Sequence, residues 1–149
     1  MRAVVQRVKR AEVRVDGQTV GKIGQGLIVY LGVSHQDTQK DIDYIVDKVI
    51  NLRIFEDDDN KLNLSTLDIN GEILLISQFT LYGDCRRGRR PSFTQAASPE
   101  KAMQLYEQTI QRFKDKEIKI QTGKFQAMMD IYSENYGPVT ILLDSNKQF

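Results

Sequence analysis

The sequence predicts a compact α+β domain of mixed and antiparallel sheet around a barrel-like β/β core, flanked by about two helices. Three observations carry that expectation. Apolar runs of strand length recur from one end of the chain to the other, and turn residues separate them. Only two stretches show helical spacing together with capping residues. At 149 residues the chain has the length of one domain, spanning 1–149. A chain of that size buries roughly 68–70% of its unfolded surface, so it needs no disulfide or metal staple.

Residues 2–32 read as strands. Ala3, Val4, Val5 and Val8 begin an apolar segment, and Val13, Val15, Val20 and Ile23 mark two alternating runs on either side of Asp16-Gly17. Asp-Gly suits a two-residue hairpin turn, which needs positive φ at both central positions. Gly24-Gln25-Gly26 turns the chain into Leu27–Leu31, apolar enough for a central strand. Thr38 and Asp41 mark a helix start, and Ile42, Ile45, Val46, Val49 and Ile50 share one helical face. Arg53-Ile54-Phe55 is extended and breaks at Glu56–Lys61, a solvated hairpin tip: Asp57 and Asp59 mimic the first ligands of a calcium loop, but Lys61 stands where the third is needed and no glycine follows at the sixth position.

Glu72–Ile76 reads as a buried strand. A second helix opens with Ser98 at N-cap and Pro99 at N1, and buries Ala102, Leu105, Tyr106, Ile110 and Phe113. Ile118 and Ile120 form a strand ending near Thr122-Gly123. Phe125, Ala127, Met129 and Ile131 alternate as another would, and Val139–Leu143 closes the fold. Asp144–Phe149 is expected to be a loose tail.

Composition excludes several classes. A net charge of +1 gives no global polyanion signal, so contact with nucleic acid needs a local patch. Cys85 is the only cysteine, which excludes an intrachain disulfide and favours a reducing compartment. No apolar core of a signal peptide and no membrane-length apolar run is present, so a cytoplasmic protein without membrane contact is expected.

The chemistry concentrates in Ser77–Phe93, where three serine and threonine hydroxyls, an amide, a thiol and four arginines follow the buried strand. Ser77, Thr80 and Cys85 are candidate nucleophiles, each wanting a base. His35, the only histidine, sits in a polar turn. Cys85 beside Arg86 and Arg87 is a candidate thiolate. One histidine and one cysteine leave only carboxylates as metal ligands, so no metal or cofactor is expected. Arg86, Arg87, Arg89 and Arg90 suit phosphate oxygens or simply solvent. Tyr82 and Phe93 flank them, to stack on a base or to pack. Gly137-Pro138 usually means only a turn, although a cis bond there would aim neighbouring carbonyls at a ligand.

Ser77-Gln78-Phe79-Thr80-Leu81, continued by Gly88-x-Arg90-Pro91-Ser92-Phe93, and Asn135-x-Gly137-Pro138-Val139-Thr140 together resemble the D-aminoacyl-tRNA deacylase family. The resemblance runs the whole chain, including Ala3–Val8 and Thr122-Gly123-x-Phe125. Gly83 and Tyr136 depart locally from the alanine and the acidic or small residue expected, outside the motif positions. The resemblance implies a cytoplasmic homodimer that proofreads translation by hydrolysing the ester between tRNA and a D-amino acid or glycine. It implies that Ser77, Gln78, Phe79 and Thr80 line the aminoacyl pocket. Asn135, Gly137 and Pro138 would belong to a cis-proline wedge that enters the partner subunit's pocket and rejects L-amino acids. Two other readings stay open: a non-catalytic RNA-binding module using the arginines, and a thiol hydrolase using Cys85.

Overall fold

The computed structural model describes residues 1–149 and contains eight strands and two α-helices. Strand β1 (Arg2–Val15) turns through Asp16-Gly17, both at positive φ as the hairpin requires, into β2 (Gln18–Ile23). Strand β3 (Gly26–Gly32) follows, then helix α1 (Gln39–Asn51), a two-stranded ribbon of β4 (Phe55–Glu56) and β5 (Leu62–Leu64), and β6 (Glu72–Ser77). A 3₁₀ turn (Phe79–Tyr82), helix α2 (Pro99–Asp115), β7 (Lys119–Thr122) and β8 (Asp130–Asp144) complete the chain.

The main sheet runs β2-β1-β3-β6-β7, with β8 paired along the other side of β1. Strands β3, β6 and β7 are parallel, so each pair needs a long crossover, and these crossovers contain α1 and α2. Alternate residues of the central strands feed two cores. Leu27, Val29, Leu31, Ile73 and Leu75 face the helices with Ile42, Ile45, Val49, Leu105 and Phe113. Ile28, Leu74 and Ile76 face the opposite side with Val8, Val13 and Ile23. Strands buried on both faces carry unbroken apolar runs, which explains Leu27–Leu31 and Ile73–Ile76.

The second core is enclosed because the sheet curls into a nearly closed barrel. Strand β2 crosses over to β6 and β7 at Gly21, where a Cβ would lie 2.6 Å from the Thr122 carbonyl and 3.2 Å from Leu74. Only a residue without a side chain permits that approach.

Both helices start where their caps indicated. Asp41 accepts from the Thr38 N–H at 2.8 Å, and Ser98 accepts from the Lys101 N–H at 3.4 Å. The acidic tip is held by Asp57, which accepts from the Asp59 and Lys61 N–H groups, both at 3.0 Å. No helix is long and apolar enough to cross a membrane.

Two expectations fail. Residues 123–129 are a loop rather than a strand, and β8 begins only at Asp130. The alternation there comes from a loop laid on the surface, with Phe125 packed against Tyr106 at 5.8 Å and Met129 against Gly123. The C-terminal segment is bonded rather than loose. The Ser145 N–H donates to the Met1 carbonyl at 2.9 Å, its hydroxyl to Asp41 at 2.6 Å, and Asp144 is buried.

Candidate functional site

Strand β6 ends where its apolar run gives way to Ser77 and Gln78, beside the carboxyl ends of β3 and β7. The Gln78 N–H donates to the Leu31 carbonyl at 2.8 Å, the last link to β3. The chain then tightens into the 3₁₀ turn. Its bonds begin with Leu81 N–H to Gln78 O at 3.3 Å and end with Gly83 N–H to Thr80 O at 2.9 Å. The N–H groups of Phe79 and Thr80 precede the first of these bonds and have no acceptor within the chain. Phe79 is 56% exposed and Thr80 is exposed, so both donors sit on an open rim.

The turn is seated on β3 at Gly32, where a Cβ would meet Leu81 at 3.0 Å and the Gln78 carbonyl at 3.1 Å. Thr80 Oγ1 takes a short hydrogen bond from the Gln78 amide, which is a donor and no base. Tyr82 is buried beneath the turn, and burial pushes its phenol well above the ordinary tyrosine range. Phe93 packs edge-on to Phe79 with ring centroids 4.9 Å apart, so these two flanking aromatics serve packing.

Between Tyr82 and Phe93 lies the arginine loop. Asp84 and Ser92 close its base with reciprocal backbone bonds of 2.8 and 2.9 Å. The four arginines are not equivalent. Arg86 forms a fork with Asp84, at 2.9 Å from Nε and 2.7 Å from Nη2, which holds the Asp84 carboxyl far below the usual range. Arg87, Arg89 and Arg90 are exposed and make no ion pair within the chain. Cys85 is exposed beside them, and His35 is exposed in the β3–α1 connection. No three His, Cys, Asp or Glu side chains come together as a metal site.

The other motif lies elsewhere, inside β8, where the pairing with β1 is irregular around Val8. The Gly137-Pro138 bond is cis. Asn135 braces the bend across its mouth, accepting from the Val139 N–H at 3.1 Å and approaching the Thr140 hydroxyl at 3.4 Å. Gly137 has φ +130°, and a Cβ on it would meet Arg7 Nη2 at 2.9 Å.

Arg7 is the residue that sequence reasoning missed at this bend. Almost fully buried, it donates to the Tyr136 carbonyl at 2.9 Å and the Ile54 carbonyl at 2.7 Å, with Glu56 at 3.6 Å and its guanidinium over the Tyr136 ring. The available signal was its register: Ala3 and Val5 point inward, and a cation in that series must find acceptors. Thus Ser77, Gln78, Phe79, Thr80 and the arginine loop assemble at one end of β6. Gly137 and Pro138 form a separate exposed bend on β8, braced by the half-buried Asn135.

Residues 4–144 match the family model described as D-Tyr-tRNA(Tyr) deacylase. The chain is 58% identical over 149 residues to a D-aminoacyl-tRNA deacylase of Clostridioides difficile (strain 630), covering 100% of both chains. It is 59% identical, at the same coverage, to a D-aminoacyl-tRNA deacylase of Halothermothrix orenii (strain H 168 / OCM 544 / DSM 9562). Among solved structures it resembles the c-Myc DNA Unwinding Element Binding Protein, with TM-score 0.92 and 42% identity, covering 97% of this chain and 98% of that one. A probable eukaryotic D-amino acid tRNA deacylase shares the fold at TM-score 0.78 and 21% identity, with 95% and 97% covered.

Proposed function

The chain belongs to the D-Tyr-tRNA(Tyr) deacylase family, and from that membership we propose that it hydrolyses the ester joining a D-amino acid to the terminal ribose of tRNA. The observation that carries the mechanism is the 3₁₀ turn, with two adjacent unbonded N–H groups on an open rim. In this reading Ser77 and Gln78 shape the aminoacyl pocket, and the Phe79 and Thr80 N–H groups receive the oxyanion that forms as water attacks the ester carbonyl. Losing one such donor typically costs about 2.7–4 kcal/mol of transition-state stabilisation. Aminoacyl esters are already activated, and the terminal ribose supplies its own 2′-hydroxyl to position or activate the water. Substrates ending in 2′-deoxyadenosine are therefore deacylated much more slowly. Thr80 holds the pocket through its bond with Gln78 rather than attacking the ester. Thr80→Ala accordingly keeps most activity, and a trapped acyl-enzyme would overturn that assignment.

Selectivity for hand comes from Gly137 and Pro138 of a second copy of the chain, which fill the space an L side chain needs. A rigid backbone wedge rejects every L residue alike, whereas glycine has no side chain to reject and its ester passes. The homodimer this requires is supported by the exposure of Gly137 and Pro138 away from the turn. It is also supported by β8, which has no second strand neighbour and exposes Tyr132 and Leu142. The arginine loop takes the phosphates of the tRNA acceptor end, and the protein works in the cytoplasm on charged tRNA. The test is hydrolysis of matched D- and L-tyrosyl-tRNA, with and without a chelator. Rapid loss of the D ester alone, indifferent to chelator, is the expected result; equal loss of both esters removes the chiral filter.

A further inference from the structure

We propose that Arg2 is a positioning residue for deacylation, acting as a strut that ties the C-terminal segment to the rear of the 3₁₀ turn. This inference rests on the reading of Phe79 and Thr80 as oxyanion donors. Arg2 opens β1 between Gly32 of β3 and Asp144 of β8. Its guanidinium engages three groups that the chain brings together only here. Nε lies 3.1 Å from Asp144 Oδ2, Nη1 donates to the Leu81 carbonyl at 3.2 Å, and Nη2 donates to Gln148 Oε1 at 3.1 Å. The guanidinium carbon lies over the Tyr82 ring, 4.7 Å from its centroid.

The anchor at the far end is rigid. The Asp144 side chain is 1% exposed, and its second oxygen accepts from the Asn146 N–H at 2.7 Å. Leu81 O is among the last carbonyls of the turn, which its own short helix leaves without a partner. The turn is therefore pinned twice: in front by Gln78 N–H on Leu31 O, behind by Arg2 on Leu81 O. Phe79 and Thr80 lie between the pins. Releasing the rear pin lets their peptide planes rotate while the pocket walls remain. Donors aimed at charge that develops only in the transition state lose rate before they lose ground-state affinity.

Lysine cannot substitute, because one ammonium does not reproduce a planar fork that meets a carboxylate, a carbonyl and a ring at once. Arg2→Ala and Arg2→Lys are therefore both expected to lower kcat for D-tyrosyl-tRNA by about 10–100-fold, the scale of a misplacement near 1 Å, with KM changed less than about twofold. The same variants are expected to accelerate hydrogen exchange at the Leu81 and Gly83 amides, the bonded donors of the turn, read by NMR without substrate, while β3 and β6 keep their protection.

A folded Arg2→Lys with kcat within about twofold of the parent, or with a raised KM and unchanged kcat, overturns the strut. If neither Arg2 variant folds, Asp144→Asn weakens the buried anchor of the fork while keeping its shape and an oxygen for the Asn146 N–H. Faster exchange confined to the turn supports the strut, and unchanged exchange overturns it. A parent protein that leaves D-tyrosyl-tRNA intact instead refutes the deacylase reading, and the exchange measurement still decides whether Arg2 orders the turn.

Discussion

Two side-chain positions bear the sharpest tests. At Gly137 a methyl group meets both strain and obstruction, since φ is +130° and the new Cβ would lie 2.8 Å from Val139 Cγ2 and 2.9 Å from Arg7 Nη2. Val139 can turn aside, whereas Arg7 is held by the Ile54 and Tyr136 carbonyls. Relief comes only from moving the bend, and backbone strain of this kind costs of order 1–3 kcal/mol. Gly137→Ala is thus expected to shift the proposed wedge and to lower the D over L preference in kcat/KM by about tenfold or more, with a modest fall in Tm. Asp84 yields a pH test. Its carboxyl is depressed chiefly by the side-chain bond from Arg86, then by the Arg86 N–H. A depressed carboxyl contributes order above its unfolded value near 3.9 and loses it as pH falls through the lower folded value. The Asp84 carboxyl resonance should titrate well below the ordinary carboxylate range, and Arg86→Gln should move it back up toward that range.

The elements differ in what they ask of the arginines. Closed at its base by Asp84 and Ser92 and docked by Phe93 on Phe79, the loop exposes all four arginines, but it pairs Arg86 with Asp84 and leaves Arg87, Arg89 and Arg90 without an ion pair. Each phosphate contact contributes about 0.7–0.9 to the slope of log affinity against log salt. Neutralising any one of Arg87, Arg89 or Arg90 is expected to flatten that slope for tRNA by about that amount, whereas Arg86→Gln leaves it unchanged by direct contact. Equal effects at all four positions would mean that Asp84 releases Arg86 to the RNA. This partition was invisible in Arg86–Arg90 as letters, because ion pairing depends on which way each side chain turns. Local signals were legible: Asp16-Gly17 placed the first hairpin, Ser98-Pro99 the second helix, and unbroken apolar runs the two central strands. Contacts between distant residues were not. Arg2 reaches Leu81 across 79 positions, Gly21 meets Thr122 by closure of the sheet, and Phe125 to Met129 imitate a strand while forming a loop. Sequence periodicity reports which face is buried, not what buries it.

At the scale of the whole molecule, the two motifs occupy different parts of one chain: a turn at the end of β6 and a projection from β8. The proposal that a second copy joins them predicts a behaviour that a self-sufficient chain cannot show. Phe79→Pro removes one of the two free N–H donors at the first position of the turn, where proline is best tolerated. That protomer is catalytically silent but keeps its wedge. A Gly137→Ala protomer keeps its donors and loses selectivity, so it hydrolyses the L ester as well. When the two are co-expressed with the silent protomer in about tenfold excess, nearly every Gly137→Ala chain pairs with an intact wedge, given random pairing of a two-fold dimer. Its active turn then faces Gly137 and Pro138 of the silent chain. Hydrolysis of L-tyrosyl-tRNA should fall to roughly a tenth of that of Gly137→Ala alone, while D-ester hydrolysis per active turn is retained. A wedge serving its own chain would leave the L activity per Gly137→Ala protomer unchanged at every mixing ratio. A protein lacking selectivity thus regains it from an inactive partner only if the chiral filter is a property of the assembly.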